Sequence, residues 1–136
     1  MKILFVCRSN VGRSQMAMEF YNQLHPNDAA SAGTQVDIPG QPLSDRGFAT
    51  EVLVVMREIG IDMSKNRRVQ LNPEMVKKYD KVIVIAEEQA IPDWLRTENK
   101  VEIWDIEDAK NKTTEQARVI RDTIKNKVAD LDHRLP

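Results

Sequence analysis

The sequence predicts a single α/β domain over residues 1–136: a doubly wound fold with a four-stranded parallel sheet flanked by helices on both faces. Three observations predict it. Ile3-Leu4-Phe5-Val6 and Val82-Ile83-Val84-Ile85-Ala86 are continuous apolar runs, the signature of strands buried on both faces. Segments with helical periodicity separate them. The chain has 136 residues, the usual size of one domain, and shows no repeat, linker or low-complexity stretch.

Taken in order, the first strand covers residues 3–6. Met16, Ala17, Phe20, Tyr21 and Leu24 share one face of a helix from about Ser14 to His25. Residues 29–34 are a small-residue strand candidate, broken near its end by Gly33. Phe48, Val52, Met56 and Ile59 place a second helix from about Ser44 to Gly60, with Gly60 as its C-cap. Asn72-Pro73-Glu74 combines a capping side chain, proline at the first helical position and a first-turn acid, which predicts a short helix to about Tyr79. Strands follow at 82–86 and 101–104. Thr113 and Gln116 have capping-box spacing, and Ala117, Ile120, Ile124, Val128 and Leu131 form the apolar stripe of the last helix.

Apolar residues make up 41% of the chain, charged residues 30%, and the formal net charge is -1. Nothing in this balance points to nucleic acid or a membrane surface as a partner, so an anion site has to be built locally. The N-terminal apolar stretch is too short for a signal-peptide core, and no run approaches the ~20 apolar residues of a membrane span. One cysteine excludes an internal disulfide or a cysteine-based zinc cluster, and an unpaired thiol suits the cytoplasm. His25 and His133 stand alone, so no metal and no cofactor is expected. The charges of Arg118, Arg121, Asp122 and Lys125 read as a solvated helix face, and the chain as a monomer or weak dimer.

In doubly wound sheets ligands bind outside the carboxyl ends of the strands. Cys7 ends the first strand, and Cys7-Arg8-Ser9-Asn10-Val11-Gly12-Arg13-Ser14 leads into the first helix. Backbone N–H groups curling ahead of a helix form an anion nest, reinforced by the helix dipole. Arg13 supplies a planar fork for two oxygens, which lysine cannot. The same positive field favours a nucleophilic thiolate at Cys7. Ser14 can donate to that sulfur, Asn10 can brace the loop through its backbone, and Gly12 permits close approach. Ser9 and Val11 complete the lining. Arg8 either deepens the positive field or points to solvent. The competing reading of Cys7 is a small buried hydrophobe. An arginine six residues on, followed by Ser or Thr, arises by chance after roughly one cysteine in a hundred or two, which weighs against it. No Gly-Lys-Ser/Thr follows, so a nucleotide P-loop does not fit.

Val6-Cys7-(five residues)-Arg13-Ser14 with Asn10 inside resembles the low-molecular-weight protein tyrosine phosphatases and the arsenate reductases that share their fold. Ser31-Ala32-Gly33-Thr34, Glu58-Ile59-Gly60-Ile61-Asp62 and Trp104-Asp105-Ile106-Glu107-Asp108 extend the resemblance over nearly the whole chain. It implies a cysteine-dependent phosphatase acting on a phosphorylated protein or a small phosphate. It also implies a general acid on a late loop, for which Asp108 is the first candidate and Asp105 the second. That aspartate usually precedes proline and an aromatic residue; here Ala109 and Lys110 follow. Ser9 replaces a usual glycine, Gly12 replaces a common second loop cysteine, and Gln15-Met16-Ala17 looks closer to the arsenate reductase branch. Two alternatives therefore stand: arsenate reduction completed by an external thiol, and an oxyanion-binding module without catalysis. Phe48 and Trp94 are candidates for the cleft mouth, with core packing favoured for Phe48.

Overall fold

The structure is a computed structural model, and it describes residues 1–136 apart from the side chain of Phe48. Four parallel strands, β1 (Ile3–Cys7), β2 (Ala29–Gly33), β3 (Lys81–Val84) and β4 (Val101–Ile103), form one sheet in the order β2-β1-β3-β4. This is the predicted α/β class. β1 is fully buried and pairs on both sides, Cys7 aligning with Gly33 of β2 and Val6 with Val84 of β3.

Strand side chains alternate between faces, so the apolar runs serve two cores. Ile3, Phe5 and Ile83 pack on one face against Met16, Phe20 and Tyr21 of α1 (Arg13–Leu24), Val52 and Met56 of α2 (Thr50–Arg57), and Ile120 and Ile124 of α5 (Thr114–Arg134). Leu4, Val6, Val82 and Val84 pack on the other against Val76 of α3 (Pro73–Val76) and Leu95 of α4 (Asp93–Arg96). Burial on both faces is what a run without polar alternation requires.

The capping signals hold. The Asn72 side chain accepts from the Met75 N–H at 2.9 Å, with Pro73 at the first helical position. Thr113 and Gln116 form a complete capping box on α5. Gly60 adopts φ +84° and closes α2, with its N–H on the Arg57 carbonyl and that of Ile61 on the Met56 carbonyl.

Three expectations are corrected. The helix read from Ser44 to Gly60 is two 3-10 turns, Leu43–Asp45 and Gly47–Ala49, followed by α2 alone. Arg46 between the turns is extended, at φ -100° and ψ 114°, and its side chain binds Asp37 at 2.8 Å, so the segment bends where a helix would run straight. Ile59 lies past the end of α2 and is exposed, while the Phe48 side chain is outside the described residues. α4 was not foreseen, yet parallel β3 and β4 require a crossover, and it supplies one. Arg121 is not on a solvated face: it is buried and donates to the Val55 carbonyl at 2.7 Å and to Glu58 at 3.0 Å.

Candidate active site

The loop between β1 and α1 is held by contacts on every side. Backbone pairing runs past the end of β1, with the Thr34 N–H on the Cys7 carbonyl at 2.9 Å and the Gln35 N–H on the Arg8 carbonyl at 2.8 Å. Gly33 is required there, because a Cβ would stand 2.7 Å from the Arg8 carbonyl oxygen and 2.9 Å from the Asn10 nitrogen. Asn10 takes φ 56°, a left-handed conformation that asparagine tolerates better than most residues.

Asn10 is wholly buried, and its bonds reach beyond the loop backbone expected to receive them. Its Nδ2 donates to Ser14 Oγ at 2.8 Å and to Ser31 Oγ at 3.0 Å, while its Oδ1 accepts the Val69 N–H at 2.8 Å. Ser14 Oγ lies 2.9 Å from Cys7 Sγ. Asn10 donates to that oxygen, and the hydroxyl keeps its own proton and a second lone pair for the contact with the sulfur.

Arg13 is buried, with 2% of its side chain exposed, and is clamped between two loops. Nη1 donates to Glu87 Oε1 at 2.8 Å and to the Ile106 carbonyl at 3.1 Å, Nη2 donates to Glu87 Oε2 at 3.4 Å, and Asp108 lies 3.7 Å away. Burial disfavours its charge, but the hydrogen bond to Glu87 and the neighbouring Cys7 and Asp108 outweigh this and raise its pKa. The bond from Arg13 holds the Glu87 carboxyl below its ordinary value against partial burial.

Cys7, Ser9, Val11, Gly12, Arg13 and Asp108 line one cavity. Asn10 and Ser14 lie beneath it and support it. Arg8 is not in its lining; it is exposed, bonds Gln35 at 3.1 Å and faces an adjoining groove. Asp105 lines a different cavity, beside Ile91 and Trp104, so of the two acid candidates only Asp108 shares a cavity with Cys7. Trp94 is not among the described residues lining the Cys7 cavity. Among the described residues no cluster of three His, Cys, Asp or Glu side chains is disposed to hold a metal.

The first strand ends in Cys7, a tight loop follows, and the buried Arg13 lines the same cavity as the sulfur. A family model described as low molecular weight phosphotyrosine protein phosphatase matches residues 2–136. The chain belongs to this family. Its relatives within the low molecular weight phosphatase fold include both phosphatases and arsenate reductases. It is 30% identical over 132 residues to a glutaredoxin arsenate reductase of Synechocystis sp., covering 96% of this chain and 95% of that protein. A low molecular weight protein tyrosine phosphatase from T. tengcongensis superposes with a TM-score of 0.78 at 25% identity, over 99% of both chains. An arsenate reductase in the phosphate binding state superposes with a TM-score of 0.78 at 27% identity, over all of both chains.

Within this member of the low molecular weight phosphatase family, four further side chains, not singled out from the sequence, stand at the candidate site. Arg46 and Lys110 line the cavity, Glu87 clamps Arg13, and Arg68 holds the loop from outside. Only Lys110 carried a signal, two residues beyond Asp108. Gln15, noted only as a branch marker, is buried and donates to Asn10 Oδ1 at 3.2 Å and to the Arg67 carbonyl at 3.2 Å, tying α1 to segment 66–71.

Proposed function

We propose that this chain, acting as one domain over residues 1–136, is a cysteine-dependent phosphatase that hydrolyses phosphate monoesters of the aryl or phosphotyrosine type. The observation that carries the reading is the 2.9 Å contact between Cys7 Sγ and Ser14 Oγ in a cavity lined also by Arg13 and Asp108. The Cys7 thiolate attacks phosphorus in line, forming the S–P bond as the P–O bond to the leaving group breaks. Loop amides and Arg13 meet the charge on the equatorial oxygens. Asp108 donates its proton to the departing oxygen, then takes one from the water that cleaves the S–P bond, which releases phosphate and restores the thiolate. The scheme draws on side chains, loop amides and one water. A thiol that must stay unpaired suits a reducing compartment such as the cytoplasm.

The test is turnover of p-nitrophenyl phosphate, blocked by vanadate and abolished by Cys7→Ser. Asp108→Asn should slow phenyl phosphate far more than an ester with an acidic leaving group, since only the poor leaving group needs the proton. Equal slowing of both esters would remove Asp108 as the acid.

The relatives named arsenate reductase favour a second reading. Cys7 would displace an oxygen of arsenate as water, forming an S–As bond. Two electrons are then needed to reach arsenite, and they come from thiols, which end as a disulfide. Cys7 is the only cysteine of the chain, so at least one thiol is external. Arsenate-dependent thiol consumption with negligible ester hydrolysis would select this reading over the first.

A further inference from the structure

A second groove adjoins the Cys7 cavity, and the two share Ser9, Arg46, Asp108 and Lys110. With Arg8 and Arg68, the groove carries four cationic side chains against the carboxylates of Asp37 and Asp108. A local surplus of two positive charges thus sits beside the oxyanion loop, in a chain whose formal net charge is -1.

The charge is fixed in place by the fold. The Arg68 side chain is 0% exposed, donates to the Ser9 carbonyl from two nitrogens and pairs with Asp37 at 2.7 Å. Arg46 pairs with the same carboxylate at 2.8 Å. Two guanidinium groups therefore share one carboxylate, and a fixed cationic wall in a cleft concentrates anions near it. Arg8 and Lys110 are exposed and line the same groove. A substrate held only by its phosphoryl group has no use for such a wall.

We propose that this groove is a second anion subsite: the preferred ligand carries, beside the oxyanion on the Cys7 loop, a second negative group, either phosphate or carboxylate. The inference rests on the reading that the loop holds an oxyanion, but not on which reaction follows.

The experiment is a calorimetric titration with inorganic phosphate and with methylenebisphosphonate. The bisphosphonate should bind on the order of tenfold tighter, the yield of one or two partly exposed ion pairs. That gain should shrink in about 0.5 M salt, where screening is short-ranged. Lys110→Glu and Arg8→Glu, both exposed positions, should each reduce it severalfold. Two phosphotyrosine peptides, flanked by glutamates or by lysines, separate the sources. A gain for the acidic peptide assigns a protein ligand, and a gain confined to the bisphosphonate assigns a small molecule. Bisphosphonate binding no tighter than phosphate, or a gain that survives both substitutions, overturns the subsite. Absence of p-nitrophenyl phosphate turnover together with the tenfold preference would remove the phosphatase reading and leave the subsite standing. Absence of phosphate binding overturns both.

Discussion

Arg68 donates two hydrogen bonds to a single atom of the anion loop, its Nε lying 3.1 Å and its Nη2 3.0 Å from the Ser9 carbonyl oxygen. Arg68→Met keeps much of the volume and removes both bonds together with the pair to Asp37. It should cost about 1–3 kcal/mol of stability in urea unfolding, because a partly buried acceptor loses both its donors. A loss below about 1 kcal/mol would mean that water replaces the guanidinium without penalty.

Gly33→Ala should harm the site from a position outside the loop. The new Cβ meets two backbone atoms, the Arg8 oxygen at 2.7 Å and the Asn10 nitrogen at 2.9 Å, and neither can swing aside. The expected cost is about 1–3 kcal/mol, with reduced affinity for vanadate as the loop shifts. Gly47→Ala is the control, since nothing lies within 4 Å of its Cβ, and it should stay within about 0.5 kcal/mol of the parent.

Asn10→Ala removes donors to Ser14 and Ser31 and the acceptor of the Val69 N–H while forcing alanine into φ 56°. Asn10→Gly loses the same bonds but relieves the backbone. Both variants should lose thiol reactivity, and alanine should be less stable than glycine by about 1 kcal/mol in chemical denaturation. Equal stability would show that the loop relaxes out of the left-handed region.

Acid stability should depend on Asp37. Hydrogen bonds from Arg46 and Arg68 hold its carboxyl at about 2, against an ordinary 3.8. A depressed carboxylate contributes stability that is fully present above the ordinary value and is lost as pH falls from there through about 2. Asp37→Asn should therefore be less stable than the parent at pH 6, with the gap closing in that window. Glu102, held at about 2 chiefly by Arg134, keeps an acid limb in both proteins. A gap that stays constant down to pH 2 would show the bonds to be insensitive to charge.

The loop was legible because its parts are adjacent in sequence: strand, cysteine, glycine, arginine and helix follow one another, and each has a local physical reason. The cap at Asn72 and the capping box at Thr113 were legible on the same ground. Arg68 was not. It follows Arg67, which is exposed, and nothing local distinguishes the two arginines; only the return of segment 66–71 beside β2 buries one of them. Glu87 lies 74 residues from Arg13, a separation over which no periodicity carries information. Arg121 sat on the border of the α5 apolar stripe, and its burial depends on where α2 ends. The break at Arg46 was hidden because its cause, the bond to Asp37, is tertiary.

The order β2-β1-β3-β4 has a consequence for how the protein opens. β1 is paired along both edges and covered on both faces, so its amides should exchange with deuterium only through complete unfolding. The 3-10 turns at 43–49 and the single-turn α4 have few such ties and should exchange through shallow local fluctuations. The sulfur is thus rooted in the slowest-exchanging part of the molecule. Arg46, which lines both the cavity and the adjoining groove, hangs between the two faster turns, so a change there can alter the groove while leaving the reacting centre rigid.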